Sequence, residues 1–282
     1  MKHKTRLIIT VILTFVMLVS CTARPGEDGI FSFGTRRTQS SPALSPHDFS
    51  QQISDHKELN GDTVGWLYVP GTGIDDVVVC DFTDNNFYLR KNFEKEYDFN
   101  GVFYADRRSD FGSGKYSELG RNTCIYGHAM TDEPDHWNYH IKFGELHNFR
   151  DEDFARETPY IYFSTEGENL VWEVFAVFFA NRNMVPFNRN DLEPDELNRV
   201  VTREVIPRSI YKYDVKIQPD DKFLTLSTCV YILPDGTDTQ YPDTHYRYGI
   251  MARLVRDNED IKDSASFTIN RSPKIDPDPF PN

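Results

Sequence analysis

The sequence predicts a mostly β domain whose strands close, or nearly close, into a barrel. Short runs of β-branched and aromatic residues recur through residues 47–256, and turn sequences such as "PGTG" separate them. These runs do not alternate with helices as a parallel βαβ fold requires, so a mainly antiparallel arrangement is expected. Hydrophobic residues make up 39% of the 282 residues, which is typical of a globular chain with a sizeable core.

The elements follow one another in a simple order. A short helix is predicted in "HDFSQQISDHKELN". Strands are predicted next in "GWLYVPGTGIDDVVVC", "GVFYAD", "NTCIYGH", "YIYFST" and "NLVWEVFAVFFA". Helices are predicted near residues 143–157 and in "EPDELNRVVTREVIPRSI", where apolar residues from Leu197 to Val205 share one face. Two strands, "KFLTLSTCVYI" and "YRYGIMARLVRD", complete the domain.

The first 21 residues predict an export signal. Cations at positions 2, 4 and 6 precede an apolar run from Leu7 to Ser20. The run is at the short limit for a membrane span, so one fate is an uncleaved anchor. The other fate follows from Leu18-Val19-Ser20-Cys21, which looks like a bacterial lipobox in which Cys21 is acylated. Both fates tether the rest of the chain on the outer face of a membrane.

Two further segments are predicted to lie outside the folded unit. Residues 22–46 are rich in Gly, Pro, Ser and Thr without apolar periodicity, which predicts a flexible stalk. Residues 257–282 are acidic and contain several prolines, which predicts a largely disordered tail. The folded domain is therefore expected to span residues 47–256.

Charge and cysteine content exclude two classes of protein. The formal charge is −13, from 31 basic and 44 acidic side chains, and this argues against a nucleic-acid partner because phosphate binding needs a basic patch. The four cysteines are Cys21, Cys80, Cys124 and Cys229, too few for a disulfide framework in an exported chain. If Cys21 is acylated, three thiols remain, and an odd thiol in an exported protein is a candidate reactive group.

Cys229 is the most interesting of these thiols because it ends a predicted strand. Alternation along "FLTLSTC" places Cys229 on the same face as Ser227, opposite Leu224 and Leu226. A free cysteine most often packs in a core, but a strand end that faces a cleft can also present a nucleophile. His128 ends another strand, and an imidazole within reach of a thiol can carry its proton.

An arginine completes the candidate set. Arg247 opens the strand "RYGIMARLV", and a fixed guanidinium there could donate hydrogen bonds to a carbonyl oxygen that becomes negatively charged. Its ordinary alternative is a solvated strand end. Arg253 competes for the same role, but it lies six residues deeper in the strand, so Arg247 is preferred.

The motifs "TLSTC", "NTCIYGH" and "RYGIMAR", in which the histidine precedes the cysteine and the arginine follows it, resemble the sortase family. The chain as a whole looks like the class B branch. "VGWLYVPGTGID" resembles the first barrel strand of that family, and the helix at about 194–210 lies where class B members insert one before the cysteine strand. The resemblance implies a closed eight-stranded sortase-type β-barrel with an N-terminal helix, on the outer face of a Gram-positive-type membrane.

The resemblance also implies a reaction. Cys229 would attack a backbone carbonyl in a sorting motif near the C-terminus of an exported protein and form a thioacyl enzyme. His128 would transfer protons, and Arg247 would hold the carbonyl. An amine from a peptidoglycan precursor or a pilin would resolve the intermediate. Ser227 and Thr228 would contribute to substrate binding, although core packing is the alternative for Thr228. No cofactor or metal is implied.

One segment departs from the family pattern. The 18 positions from Cys229 to Arg247 form a connection that looks longer than in class B relatives, and it carries Asp235, Asp238 and Asp243. Because this segment would flank the active site, it leaves the sorting motif open. The acceptor, the choice between wall anchoring and pilus assembly, and the oligomeric state are open as well.

Three other interpretations compete with the sortase reading. The spacing of His136 and His140, with His128 and His147 nearby, is compatible with a zinc site on a helix, but the glutamate of an HExxH motif is missing. A cysteine peptidase or amidase would use the same side chains and hydrolyse its substrate. A tethered binding module would use "TLSTC" only as a core strand.

Overall fold

The computed structural model describes residues 45–130, 140–183, 185–230 and 246–276, all of which belong to one compact unit, Gln39–Asn282. The predicted export signal and nearly all of the predicted stalk lie outside the described residues. So does most of the acidic segment that follows Cys229. Within the described ranges, every helix is too short or too polar to cross a bilayer.

Eight strands form a closed barrel in the order β1-β2-β3-β4-β10-β11-β8-β7, which confirms the predicted fold class. The barrel strands are β1 (Thr63–Tyr68), β2 (Asp75–Val79), β3 (Phe103–Ala105), β4 (Asn122–Tyr126), β7 (Tyr160–Ser164), β8 (Val171–Asn181), β10 (Phe223–Cys229) and β11 (Tyr246–Leu254). Four short strands form two separate pairs: β5 (Ala129–Met130) with β6 (Ile141–Lys142), and β9 (Tyr211–Tyr213) with β12 (Phe267–Ile269).

The helices lie around the barrel in the predicted places. They are α1 (Ser50–Leu59), a 3₁₀ helix (Phe143–Arg150), α2 (Glu152–Glu157), α3 (Pro194–Val200), a π-helical segment (Val201–Val205) and α4 (Ile206–Arg208). Pro194 occupies the first turn of α3, where its missing N–H costs no hydrogen bond. The N-terminal helix and the helix inserted before the cysteine strand are thus both present.

The two faces of β10 pack against different cores. Leu224 and Leu226 belong to the main core inside the barrel. Phe223 instead packs in a second core with Leu197 and Val201, which cover the outside of the sheet with the inserted helix. The alternation expected from the sequence is therefore present, and Cys229 ends the face that is turned away from the barrel interior.

The C-terminal segment differs from its prediction. Residues 257–276 do not form a disordered tail: Phe267–Ile269 pairs with β9 as a strand, and Phe267 and Asp276 are buried. The acidic, proline-containing composition predicted disorder because it offers few apolar residues. The order comes from long-range pairing and ion pairs, which composition does not report.

Candidate active site

The neighbours of β10 bring the predicted site residues together. β10 pairs in antiparallel fashion with β11, and in this register Cys229 lies directly opposite Arg247. Side chains of directly opposite residues share a face and have Cβ atoms about 4.5–5.5 Å apart. The thiol and the guanidinium therefore project from adjacent positions of the same face.

His128 reaches the same place through the parallel pairing of β10 with β4. Ser227 lies beside Tyr126, and two hydrogen bonds extend the pairing past the strand end. Gly127 N–H donates to the Ser227 carbonyl oxygen (3.4 Å), and Thr228 Oγ1 donates to the Gly127 carbonyl oxygen (2.7 Å). His128 is the next residue, so these two hydrogen bonds with the end of β10 hold the backbone that carries the imidazole.

Gly127 lets the backbone before His128 pass close to two aromatic rings because it has no side chain. A Cβ atom built on Gly127 would lie 2.7 Å from the ring of Phe143 and 2.9 Å from the ring of Phe103. Contacts under 3.0 Å are essentially absent from real side chains. The glycine thus lets the backbone before His128 lie directly on two aromatic rings.

The three candidate catalytic residues and Ser227 line one groove of about 250 Å³. Cys229, His128 and Arg247 are each partly exposed there. The lining also includes Asn85 and Leu89 of the connection between β2 and β3. Polar side chains such as Asn86 and Asn188 line the groove together with the rings of Tyr104 and Phe187.

His128 is held in its neutral form. Burial lowers its pKa below the usual value of 6.5, and the Arg90 and Arg247 cations lower it further, against a raising effect of the Leu89 hydrogen bond. Nε2 of His128 lies 2.7 Å from the Leu89 carbonyl oxygen. Because a carbonyl only accepts hydrogen bonds, Nε2 carries the hydrogen and Nδ1 keeps the lone pair that can accept a proton.

The other described thiols cannot serve as the nucleophile. Cys80 and Cys124 are buried, with 1% and 0% of their surface exposed, whereas Cys229 is partly exposed. Burial, reinforced by the Asp106 carboxylate, raises the pKa of the Cys80 thiol to about 12, and burial raises that of Cys124 even further. Both stay protonated at neutral pH, so neither forms the reactive thiolate.

The geometry separates the two candidate arginines. Arg253 lies opposite Phe223, at the far end of β10 from Cys229. It is 3% exposed and forms ion pairs with Glu173 (2.5 Å) and Glu259 (2.6 Å). Arg253 thus neutralises the buried Glu173 and the partly exposed Glu259 away from the groove, while Arg247 lines it.

Ser227 and Thr228 differ in their surroundings, although both are 2% exposed. Ser227 shares the face of Cys229 and contributes to the groove wall. Thr228 also reaches the groove wall, but its hydroxyl hydrogen is donated to the Gly127 carbonyl. The bond favours a positioning role for Thr228 over a direct contact with substrate.

Sequence reasoning missed Arg182, which follows β8 and lines the groove beside Arg247. Burial lowers the pKa of Arg182, and the Arg247 cation lowers it further while Cys229 opposes this effect. The available signal is a cation two residues after the predicted strand "NLVWEVFAVFFA". Leu89 carried no signal, because it acts through its backbone carbonyl.

The histidines of the zinc hypothesis do not gather into a site among the residues described here. No group of three or more ligating side chains occurs within those ranges, and His136 lies outside them. His147 instead stacks on Tyr248, with ring centroids 4.4 Å apart, and its Nε2 lies 3.3 Å from the Cys229 carbonyl oxygen. Burial lowers the pKa of His147 to about 3, so its ring is neutral and packs beneath the cysteine.

Comparisons with known proteins find sortase B relatives in both sequence and structure, although no protein-family model matches the chain. Sortase B of Listeria monocytogenes is 29% identical over 178 residues, which cover 63% of this chain and 67% of the relative. Sortase B of Staphylococcus aureus is 25% identical over 205 residues, covering 73% and 75% of the two chains. A solved Staphylococcus aureus sortase B-substrate complex superposes with a TM-score of 0.60 at 25% identity, over 73% of this chain and 86% of that one.

Proposed function

We propose that this chain, which belongs to class B of the sortase family, cleaves a sorting motif near the C-terminus of exported proteins and transfers the product to an amine. The family is one of cysteine transpeptidases. One observation carries the assignment of residues: Cys229 lies directly opposite Arg247, and His128 follows the strand on its other side, so that all three line one groove.

In the first half-reaction, Cys229 acts as the nucleophile. Its thiol proton passes to the imidazole of His128, and Sγ forms a bond to the carbonyl carbon of the scissile peptide. The carbonyl oxygen gains negative charge, which the Arg247 guanidinium stabilises by charge-assisted hydrogen bonds. When the C–N bond breaks, the imidazolium gives its proton to the leaving amine, and a thioester on Cys229 remains.

In the second half-reaction, an amine replaces the leaving peptide. The neutral ring of His128 accepts a proton from the incoming amine as its nitrogen attacks the thioester carbon. Arg247 again stabilises the charge on oxygen, the C–S bond breaks, and the sulfur regains its proton. The lowered pKa of His128 suits this step because the ring is a free base at neutral pH.

The proposal includes the surroundings in which the reaction takes place. The apolar run of residues 7–20 and the Gly/Pro/Ser-rich residues 22–46 support a domain tethered to the outer face of a Gram-positive-type membrane. Exported proteins would then supply the sorting motif, and a peptidoglycan precursor or a pilin would supply the amine. The solved substrate complex of Staphylococcus aureus sortase B supports binding of a substrate by this fold.

The test presents the purified protein with a panel of sorting peptides and an excess of a primary amine. An amide product and a thioacyl adduct on Cys229, both detected by mass spectrometry, are expected. Free acid alone, with the amine in excess, would instead identify a hydrolase. Absence of both products across the panel would favour the binding module.

Two substitutions test the assignment of residues. Cys229→Ala and His128→Ala should each abolish transfer without unfolding the domain, because both side chains are partly exposed at the groove. Circular dichroism and thermal unfolding check the fold. Cys124→Ala is a matched control for loss of a thiol and should keep its turnover per folded molecule. Retained transfer in either site variant contradicts the assignment.

A further inference from the structure

The tail strap, defined as residues 265–276, runs from the outside of the barrel to the edge that carries the site. It starts where Ala265 N–H donates to the Arg156 carbonyl, and it continues as β12 beside β9. Asn270 N–H then donates to the Ile210 carbonyl, and Lys274 N–H to the Pro207 carbonyl, each through a bond of 2.8–2.9 Å. These bonds guide the chain along α4 towards the ends of β8 and β11.

Asp276 makes the last described contacts of the strap, and they join three separate elements. Its carboxylate forms a buried ion pair with Arg208 and accepts a hydrogen bond from Asn181 N–H at 3.0 Å. Its carbonyl oxygen accepts a hydrogen bond from Tyr246 Oη at 2.5 Å. The Asp276 and Arg208 side chains are only 1% and 2% exposed, so neither charge is shared with water.

The two strand residues held by Asp276 stand directly before the two arginines of the groove. Asn181 is the last residue of β8, and Tyr246 is the first residue of β11. They lie opposite each other in the sheet. Arg182 and Arg247 are the next residues of the chain at these points, and both line the groove with Cys229.

We propose that Asp276 is a positioning residue of the active site: the tail strap fixes the ends of β8 and β11, and thereby the arginines beside the nucleophile. The inference rests on the proposed function for its kinetic consequence and on the contacts alone for its structural one. A guanidinium stabilises a developing oxyanion only when its N–H groups are held in place beforehand. Asp276 supplies that restraint from outside the barrel.

The alternative is that Asp276 only adds to stability. A buried carboxylate that neutralises a buried arginine has this effect anywhere in a protein. The hydrogen bonds with Asn181 and Tyr246 favour the positioning role, because they hold the ends of β8 and β11, which the ion pair with Arg208 does not contact. The test must therefore measure the order of the strand ends and the turnover independently of the stability of the whole domain.

The variants are Asp276→Asn, which keeps size and one acceptor but removes the charge, and Tyr246→Phe, which removes one hydroxyl. Arg271→Met is the matched control, because it removes a charge from an exposed position of the same strap, outside the ion pairs of Arg208. Hydrogen–deuterium exchange on the full chain should become faster at residues 246–252 in both variants, and unchanged at Thr63–Tyr68. This readout needs no catalytic activity.

Kinetics then test the consequence. Per titrated Cys229 thiol, kcat of both variants should fall about tenfold while KM changes little, since misplacement of a group that acts in the transition state lowers kcat. On an Arg247→Lys background, the Asp276→Asn effect should largely disappear, because the two changes act on one element. Arg271→Met should behave as the parent chain.

The outcomes separate the two hypotheses. Unchanged exchange at residues 246–252, or kcat per thiol within about twofold of the parent, overturns the role of Asp276. Independent, multiplicative effects of Asp276→Asn and Arg247→Lys overturn it as well. If exchange is faster in the two variants as expected but the parent chain forms no amide, the proposed function is refuted. The role of Asp276 in ordering the strand ends then remains supported by the exchange data.

Discussion

The hydroxyl of Thr228 offers a sharp test of how β10 positions His128. Thr228→Val keeps the shape of the side chain and removes the hydrogen bond to the Gly127 carbonyl, which is 2.7 Å long. Thr228→Ser keeps the hydroxyl and is the matched control. We expect the valine variant to lose stability and turnover, and the serine variant to lose little of either.

The magnitude follows from the burial of the bond. Thr228 is 2% exposed, and its bond to Gly127 is partly buried at the groove wall, so the Gly127 carbonyl loses a partner in a place that water reaches only in part. A buried acceptor left unsatisfied costs about 1–3 kcal/mol of unfolding free energy. For a domain of this size, each kcal/mol lowers the melting temperature by about 2–4 °C, so a decrease of about 2–12 °C is expected.

The effect on turnover comes from the next residue. His128 follows Gly127 directly, and a shift of its imidazole by about 1 Å can cost about a hundredfold in rate. We therefore expect kcat per folded molecule to fall at least about tenfold in Thr228→Val. Thermal unfolding and amide formation at saturating peptide measure the two effects. Full kcat in a destabilised valine variant would refute the idea that this bond positions the histidine.

Three further results are expected. Among the three described thiols, a small methanethiosulfonate reagent should label Cys229 in the native protein and spare Cys80 and Cys124, which are buried. If peptide mapping found Cys229 unlabelled, Cys229 could not be the nucleophile. Arg253→Met should cost about 1–3 kcal/mol of unfolding free energy, because the buried Glu173 carboxylate loses one of its two described cationic partners and keeps Lys262. The variant should keep its kcat per folded molecule. A selective loss of kcat would return the oxyanion role to Arg253. Burial lowers the pKa of His147 to about 3, so the unfolded chain binds the proton first as the pH falls below 6.5, and the unfolding free energy decreases from there towards pH 3. In His147→Phe, urea titrations at several pH values should show a shallower decrease of the unfolding free energy. An unchanged dependence of that free energy on pH would contradict the assignment.

The main features of the barrel could be predicted because they depend on local patterns. The alternation in "FLTLSTC" separates the side chains of Leu224 and Leu226 from that of Cys229, and the structure keeps this separation. The inserted helix was equally visible, since its apolar residues recur with helical spacing and a proline marks its first turn. Each of these signals lies within one element.

The parts that could not be predicted depend on contacts between distant positions. The Arg208–Asp276 pair joins residues 68 positions apart, and an acidic tail gives no sign of the arginine that it meets. Similarly, the bond from His128 to Leu89 ends on a backbone carbonyl, which every residue type has. Composition and periodicity carry no information about either contact.

The position of Cys229 on a central strand of a closed sheet limits how this site can change. Because side chains alternate with a period of two, deletion of one residue within β10 would turn the thiol towards the barrel interior and drive leucines out of the core. The place of the sulfur is therefore discrete: it cannot be adjusted in small steps by lengthening or shortening the strand. New specificities have to come from the connections around the rim, where insertions leave the pairing of Cys229 with its neighbours intact.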